Sequence, residues 1–257
     1  MFCINVSCGN DSVALTQFLH EKYPEAPKVC VYCNTGMESD TWSQRVDQFK
    51  QWCESLGIPF VELKNSEGQF EYWVQRKTIF PRLKVKWCTH LLKIKPVNEY
   101  LNEIDPSKEA TICVGVRRCE SIKRADYPEW ADDGGREKWA PLVRHSDEER
   151  NALIERAGFE VLPHRSRECS PCIFSNREDI ARMSENEVQR VERMEAQLSG
   201  IRADATFFNP NGKMGAFGIR EVVDWARSPR GKYSKDQLLL ERFFEKKLTC
   251  DGGYCGG

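Results

Sequence analysis

The sequence predicts an α/β protein: a doubly wound parallel sheet with a small C-terminal lobe that is helical and contains cysteines. Three observations carry this expectation. Short, apolar, β-prone runs alternate with helix-length amphipathic segments between residues 2 and 116. Segments rich in glycine and hydroxyl side chains follow several of those runs, where the strand ends of such a sheet open. After residue 128 the strand signal stops, and capped helical patterns with closely spaced cysteines take over. Two units are therefore expected, an α/β domain over 1–128 and a helical lobe with a CxxC and a cysteine tail over 129–257.

Phe2–Val6 is the first expected strand, and Ser12–His20 the first helix, with Val13, Leu15, Phe18 and Leu19 at roughly helical spacing. Val29–Tyr32 reads as the second strand. Thr41–Leu56 aligns Trp42, Val46, Phe49, Trp52, Cys53 and Leu56 on one stripe. Phe60–Leu63 and Thr111–Val116 are further strands. Asp132-Asp133-Gly134-Gly135 reads as an exposed loop, and Ser146–Gly158 as a helix stopped by glycine. Ser184 and Glu187 form a capping box ahead of Val188, Val191, Met194 and Leu198, with Gly200 as the stop. The tail from Cys250 is too glycine-rich for regular structure.

With 257 residues, 40% apolar and 30% charged, the composition is that of an ordinary globular protein. The net charge of −1 excludes a globally cationic nucleic-acid binder while leaving room for a local basic groove. No apolar run approaches the roughly 20 residues that cross a bilayer, and no secretory signal precedes the first strand. A cytoplasmic protein with no membrane partner is expected. In that reducing compartment the twelve cysteines read as core thiols, metal ligands or reactive thiols rather than disulfides. Cys3, Cys30, Cys53 and Cys113 lie in apolar segments and read as core. Cys30 and Cys33 carry no assigned role, because strand residues three apart face opposite ways.

Ser7-Cys8-Gly9-Asn10-Asp11-Ser12 stands between the first strand and the first helix. There, backbone N–H groups and the helix N-terminus favour a phosphate. Gly9 permits close approach, Ser7 and Ser12 offer hydroxyls, and Asp11 either orients the loop or helps hold Mg2+ beside the phosphates. No Gly-Lys-Ser/Thr closes the segment, which excludes a Walker A loop. Asn34-Thr35-Gly36-Met37-Glu38 follows the second strand. Gly115-Val116-Arg117-Arg118-Cys119-Glu120-Ser121, with Arg124, follows a later one, and its guanidinium groups suit phosphate or sulfate.

Together these segments resemble the SGGxDS, TGxE and GxRxxES…R signatures of PP-loop ATP pyrophosphatases in the PAPS-reductase-like (adenine nucleotide alpha hydrolase-like) group, over most of residues 2–180. The resemblance implies a Rossmann-like fold of the PP-loop/HUP type that uses ATP and Mg2+. It implies ATP binding by Ser7, Cys8, Gly9, Asn10, Asp11, Ser12, Thr35, Gly36, Glu38, Gly115 and Arg117, with Asp11 and Ser12 catalytic. Cys8 occupies the first glycine position of the signature, a departure that bears on the backbone angle there.

Trp87-Cys88-Thr89 and the run to Pro96 resemble the group's cysteine-plus-LKxxP segment, and Arg167-Glu168-Cys169-Ser170-Pro171-Cys172 its late RxCxxC. In APS reductases cysteines at these two places bind a [4Fe–4S] cluster, with a double cysteine at the first, where this chain has Cys88 followed by Thr89. The resemblance thus implies a metal centre on Cys88, Cys169 and Cys172, with Cys250 or Cys255 as the fourth ligand. Four thiolates suit an iron–sulfur cluster or zinc, and the spacing does not decide between them; the resemblance favours the cluster. Free thiols at Cys169 and Cys172 are the alternative.

From Tyr72 to Asn98 there are seven lysines and arginines and no acid, interleaved with Trp73, Phe80 and Trp87. This suits a nucleic-acid backbone or the nucleotide's own phosphates; the alternative is a solvated face whose aromatics pack inward. Arg82, Lys84, Lys86, Lys93 and Lys95, with Arg118 and Arg124, are the expected nucleic-acid or phosphate contacts.

The function these resemblances imply is cleavage of ATP to AMP and pyrophosphate, adenylating an acceptor oxygen in support of sulfur insertion. Among relatives it is most like the ATP pyrophosphatases of DNA phosphorothioation, with a cysteine desulfurase as sulfur donor and DNA as acceptor; tRNA thiolation is the same chemistry on another nucleic acid. Reduction of PAPS or APS is the competing reading, although such reductases carry a C-terminal ECGxH that the tail lacks. A subunit that binds ATP without turning it over is the third.

Overall fold

The computed structural model describes residues 1–163, 168–202, 205–209 and 216–229. Among them six strands form one sheet. β1 (Phe2–Val6) lies between β2 (Lys28–Cys33) and β4 (Thr111–Val114), parallel to both, with Ile4 opposite Cys30 on one side and Cys113 on the other. β3 (Phe60–Leu63) adds in parallel beyond β2. On the far side, β6 (Glu137–Trp139) runs parallel to β4, and β5 (Trp130–Asp132) closes that edge antiparallel. The order across the sheet is β3-β2-β1-β4-β6-β5.

The sequence of β1 explains its central place. Cys3 packs into one buried cluster while Ile4 and Val6 pack into another on the opposite face, as expected for a strand covered on both sides. α1 (Asn10–Lys22) and α2 (Trp42–Ser55) cover one face through Val13, Leu15, Leu19 and Phe49. The other face is covered by Val97 and Leu101 of a later helix. Helices on both faces of a mainly parallel sheet make the doubly wound layer that the alternation predicts.

A third cluster builds the helical lobe, and it draws on both halves of the chain. α3 (Phe70–Lys77) contributes Phe70, Trp73 and Val74. α4 (Trp87–Thr89) supplies Trp87 and continues through a wide π-helical turn, His90–Ile94, into α5 (Lys95–Ile104). α6 (Asp147–Arg156) returns to the first layer beside α1, and α7 (Arg177–Ala181) leads into α8 (Glu185–Ser199) and α9 (Gly218–Arg227). The aromatic residues of α3 and α4 pack with Val188, Val191, Met194 and Leu198 of α8 and with Ile219, Val222 and Val223 of α9. Each such apolar side chain stabilises the fold by about 1.5–3 kcal/mol on burial. Trp73, Phe80 and Trp87 are therefore core residues, packed inward. Ser184 and Glu187 form the reciprocal cap expected at the start of α8.

The sheet does not stop at residue 128. β5 and β6 extend it, and Leu153, Ile154 and Phe159 still belong to the core under α1 and α2. Asp132-Asp133-Gly134-Gly135 forms the tip of the β5–β6 hairpin. These strands are three residues long, and β5 is exposed along its length, so neither leaves an apolar alternation to read. Among the described residues no helix is long and apolar enough to cross a membrane.

Candidate functional site

The three motif segments leave the C-terminal ends of three adjacent strands: 7–12 follows β1, 34–38 follows β2 and 115–121 follows β4. The strand order turns at β1, with β2 on one side and β4 on the other. At such a point the connections diverge and open a crevice over the strand ends, where doubly wound sheets take ligands.

Within the first segment Cys8 is buried with φ +63°, the left-handed region that glycine adopts freely. A non-glycine residue there costs roughly 1–2 kcal/mol. Cys8 thus takes the glycine-like angle its position demands. Burial, with a smaller contribution from Glu168, pushes its thiol well above the usual range, so the neutral residue acts through its backbone. Ser7 donates its N–H to Ser12 Oγ at 2.9 Å, and the two hydroxyls meet at 3.2 Å. Gly9 is the N-cap of α1 and places no side chain over the helix N-terminus, whose N–H groups favour an anion. Asn10 exchanges two hydrogen bonds with the backbone of Leu162, at 3.0 and 2.9 Å.

Asp11 accepts from Arg117 Nε at 2.6 Å, and both side chains are 2% exposed. Arg117 Nη1 also reaches Asp147 at 2.9 Å and Cys119 Sγ at 2.8 Å. A Cβ on Gly115 would lie 3.0 Å from the Asp11 carbonyl oxygen, so β4 ends close against the first turn of α1 and a larger residue would have to displace it. Of the two roles expected for Asp11, orienting the loop is the one this geometry performs. One oxygen of its carboxylate is held by Arg117, and the Arg117 fork is likewise engaged within the protein. Arg118 is half-buried and donates from Nε to the Tyr127 carbonyl at 3.0 Å, and Arg124 is buried against Glu120.

In the second segment Glu38 accepts from Thr35 N, Thr35 Oγ1 and Gly36 N at 2.6–2.9 Å. Gly36 has φ +80°. Glu38 therefore shapes its own turn. That turn is stitched to the CxxC: Ser39 donates its N–H to Glu168 O at 2.9 Å, Ser170 to Met37 O at 2.7 Å, and Thr35 Oγ1 lies 3.6 Å from Cys169 Sγ. Arg190 of α8 binds the carbonyls of Met37, Glu38 and Ser170.

Cys88, Cys169 and Cys172 are partly buried free thiols. Burial, and then the charge of Cys172, pushes Cys88 up to about 11; burial also raises Cys169. Beside them Lys93 meets Glu168 at 2.5 Å with both side chains buried. Desolvation works against the ammonium, but Glu168 prevails and keeps it charged, and that charge draws the Cys88 and Cys169 thiols back toward the thiolate. Three soft donors beside one cation suit iron–sulfur or zinc chemistry. Among the described residues no three His, Cys, Asp or Glu side chains already form a ligand set, and Cys250 and Cys255 lie outside the described residues.

Part of the basic stretch is paired with acids from elsewhere in the chain, and Arg76 reaches Glu67 at 3.7 Å. Lys95 pairs with Glu67 at 2.6 Å and Glu99 at 3.6 Å, and Lys93 is internal. Arg82 donates to the carbonyls of Thr206 and Phe207, and Lys86 lies over Phe174. Arg82, Lys93 and Lys95 thus each have partners within the protein. Lys84 is exposed between the exposed Leu83 and Val85.

Sequence reasoning missed α2's part in the site. Trp42 Nε1 donates to Ser7 O at 3.0 Å, and Arg45 Nε to Cys8 O at 3.2 Å. It also missed Glu168, an unmarked position inside the cysteine motif.

The family profile of the phosphoadenosine phosphosulfate reductase domain matches residues 2–170. No curated protein sequence matches the chain. Among solved structures, phosphoadenylyl-sulfate (PAPS) reductase from Candida auris, in complex with phosphate, aligns at 12% identity over 66% of this chain and 81% of its own, with a TM-score of 0.49. The U34-tRNA thiolase NcsA from Methanococcus maripaludis, with its [4Fe–4S] cluster, aligns at 15% identity over 91% and 73%, with a TM-score of 0.41.

Proposed function

The chain belongs to the phosphoadenosine phosphosulfate reductase domain family, and from that premise we propose that it is an ATP pyrophosphatase that adenylates an acceptor oxygen in support of sulfur insertion. The observation that carries this reading is the loop after β1. A left-handed Cys8, the Ser7–Ser12 closure and the side-chain-free start of α1 gather backbone N–H groups at the crevice where the strand order turns. Such a cradle suits the β- and γ-phosphates. An acceptor oxygen attacks the α-phosphorus, the bond to the β-phosphate breaks, and pyrophosphate leaves with that bond's electron pair. The N–H groups stabilise the charge that builds on the leaving group. The terminal sulfur of a persulfide supplied by a cysteine desulfurase then attacks the adenylated centre, and AMP leaves with the electron pair of the broken bond. A second thiol cleaves the remaining S–S bond, leaving the sulfur on the acceptor and a disulfide on the donor.

Cys88, Cys169 and Cys172 would hold the metal centre, with a further ligand from Cys250 or Cys255; when bound, it supplies a thiophilic site near the crevice. The acceptor we place first is a DNA backbone, with tRNA as the alternative, on the strength of exposed Arg76, Lys77 and Lys84 around Tyr72 and the Leu83–Val85 tip. Reduction of PAPS is the second reading, favoured by the family match itself.

Incubation with ATP, alone and with DNA, tRNA or PAPS, separates these. AMP and pyrophosphate in equal amounts, stimulated by a nucleic acid, is the expected result. Sulfite from PAPS moves the second reading to first, and release of ADP and phosphate overturns both. Ser12→Ala removes the acceptor that closes the loop and is expected to lower AMP formation about a hundredfold, the scale of losing one preorganised group at a developing charge.

A further inference from the structure

We infer that Trp42 and Arg45, in the first turn of α2, are positioning residues that set the direction of the phosphate-facing N–H groups in the loop after β1. This rests on the reading of that loop as a phosphate site.

The two carbonyls that precede Gly9 are both held by α2. Ser7 O accepts from the buried indole of Trp42 at 3.0 Å, and Cys8 O from Arg45 Nε at 3.2 Å. Arg45 is itself fixed: its guanidinium lies 4.7 Å over the Phe159 ring, and Nη2 donates to Glu160 O at 3.3 Å. In a planar trans peptide the C=O and the N–H of one unit point in opposite directions. Turning the Ser7 and Cys8 carbonyls toward α2 therefore turns the N–H groups of Cys8 and Gly9 away from it. Successive N–H groups presented this way, next to a helix N-terminus, form a concavity for an anion.

The same contacts account for Cys8 at φ +63°. A residue with a Cβ leaves the left-handed region when nothing holds it there. With Trp42 and Arg45 bound to the flanking carbonyls, relaxation of Cys8 would break a charge-assisted hydrogen bond. The clamp therefore substitutes for the conformational freedom of glycine, and this predicts a specific rescue. Cys8→Gly makes the turn intrinsically accessible and should render the clamp dispensable.

The test uses the full chain as wild type, Trp42→Phe, Arg45→Met, Cys8→Gly and Arg45→Met/Cys8→Gly. Urea unfolding is measured for each, together with calorimetric binding of inorganic pyrophosphate and of ATP. Arg45→Met is expected to weaken pyrophosphate binding about tenfold, the scale of one hydrogen bond to a charged group, and Trp42→Phe to weaken it less. Adding Cys8→Gly to Arg45→Met should restore most of the affinity and reduce the stability lost. A direct charge effect of Arg45 on the ligand would not be rescued by glycine, so failure of rescue overturns the inference. So does a stability loss from Arg45→Met that is the same with Cys8 in place as with Cys8→Gly. Wild-type protein that binds neither ligand overturns the phosphate reading of the loop, while the unfolding cycle still decides whether Arg45 holds the turn.

Discussion

Asp11 and Arg117 stand 106 residues apart in the chain and meet at 2.6 Å, with both side chains 2% exposed. The pair joins the loop after β1 to the segment after β4, across the crevice where the strand order turns. Removing one partner leaves the other's charge buried and uncompensated. Asp11→Ala is accordingly expected to cost about 3–5 kcal/mol of stability, so its loss of activity would not report chemistry alone. Asp11→Asn/Arg117→Met should recover much of that cost, as urea unfolding of the two single variants and the double variant would show.

The three thiols near Lys93 make a prediction about composition. Protein purified without oxygen should contain iron with inorganic sulfide, or zinc, by elemental analysis. Cys88→Ala and Cys169→Ala should each lower that content, whereas Cys53→Ala, on the buried face of α2, should leave it unchanged. Equal metal content in all three variants would remove the metal centre from these residues.

Acid stability should depend on Asp105. Hydrogen bonds from the backbone N–H of Ala110 and Glu109, with Arg136 and Ser107, lower its pKa to about 2. A folded pKa below the unfolded value of about 4 means the contribution is complete above pH 4 and lost as pH falls toward 2. Asp105→Asn should flatten that part of a stability-against-pH curve and lower the plateau above it. An unchanged acid limb would show that other carboxyl groups set it.

The nucleic-acid reading makes its prediction through salt. Backbone contacts to duplex DNA give a log–log slope of about −0.9 for each phosphate neutralised. Lys77→Ala/Lys84→Ala should flatten that slope and weaken binding evenly across sequences. Arg82→Ala, which removes the donor to Thr206 and Phe207, should instead destabilise the helical lobe. Wild-type protein with no salt-dependent DNA or RNA binding would remove the nucleic-acid acceptor.

Several elements of the fold are legible from local pattern. Phe2–Val6, the Trp42–Leu56 stripe and the Ser184–Glu187 cap all specify themselves within a few residues. The basic stretch is not legible in that way, because its counter-charges come from Glu67 and Glu168, outside the window. Neither is the sharing of the lobe's core, since Phe70, Trp73 and Trp87 find partners such as Val191 and Ile219 more than a hundred residues later. The positions of the motif residues could be read, but not what their side chains do. Glu38 and Asp11 look like ligands in sequence, and in space they also bind Thr35, Gly36 and Arg117. Trp42 and Arg45 act on backbone carbonyls, which any residue carries, so the sequence holds no sign of their target.

The hydrogen bonds between Asn10 and Leu162 also fix when this loop can mature during synthesis. A chain growing at about 5–20 residues per second exposes Asn10 to solvent well before Leu162 is made. Arg117 for Asp11, the Glu160 carbonyl for Arg45, and Ser170 for Met37 arrive similarly late. A nascent chain halted at residue 128 would hold β1, β2, β3 and β4 but lack most of the braces on its loops. Such a fragment would expose the apolar face that Leu153, Ile154 and Phe159 later cover, making it a substrate for chaperones rather than a smaller version of the protein.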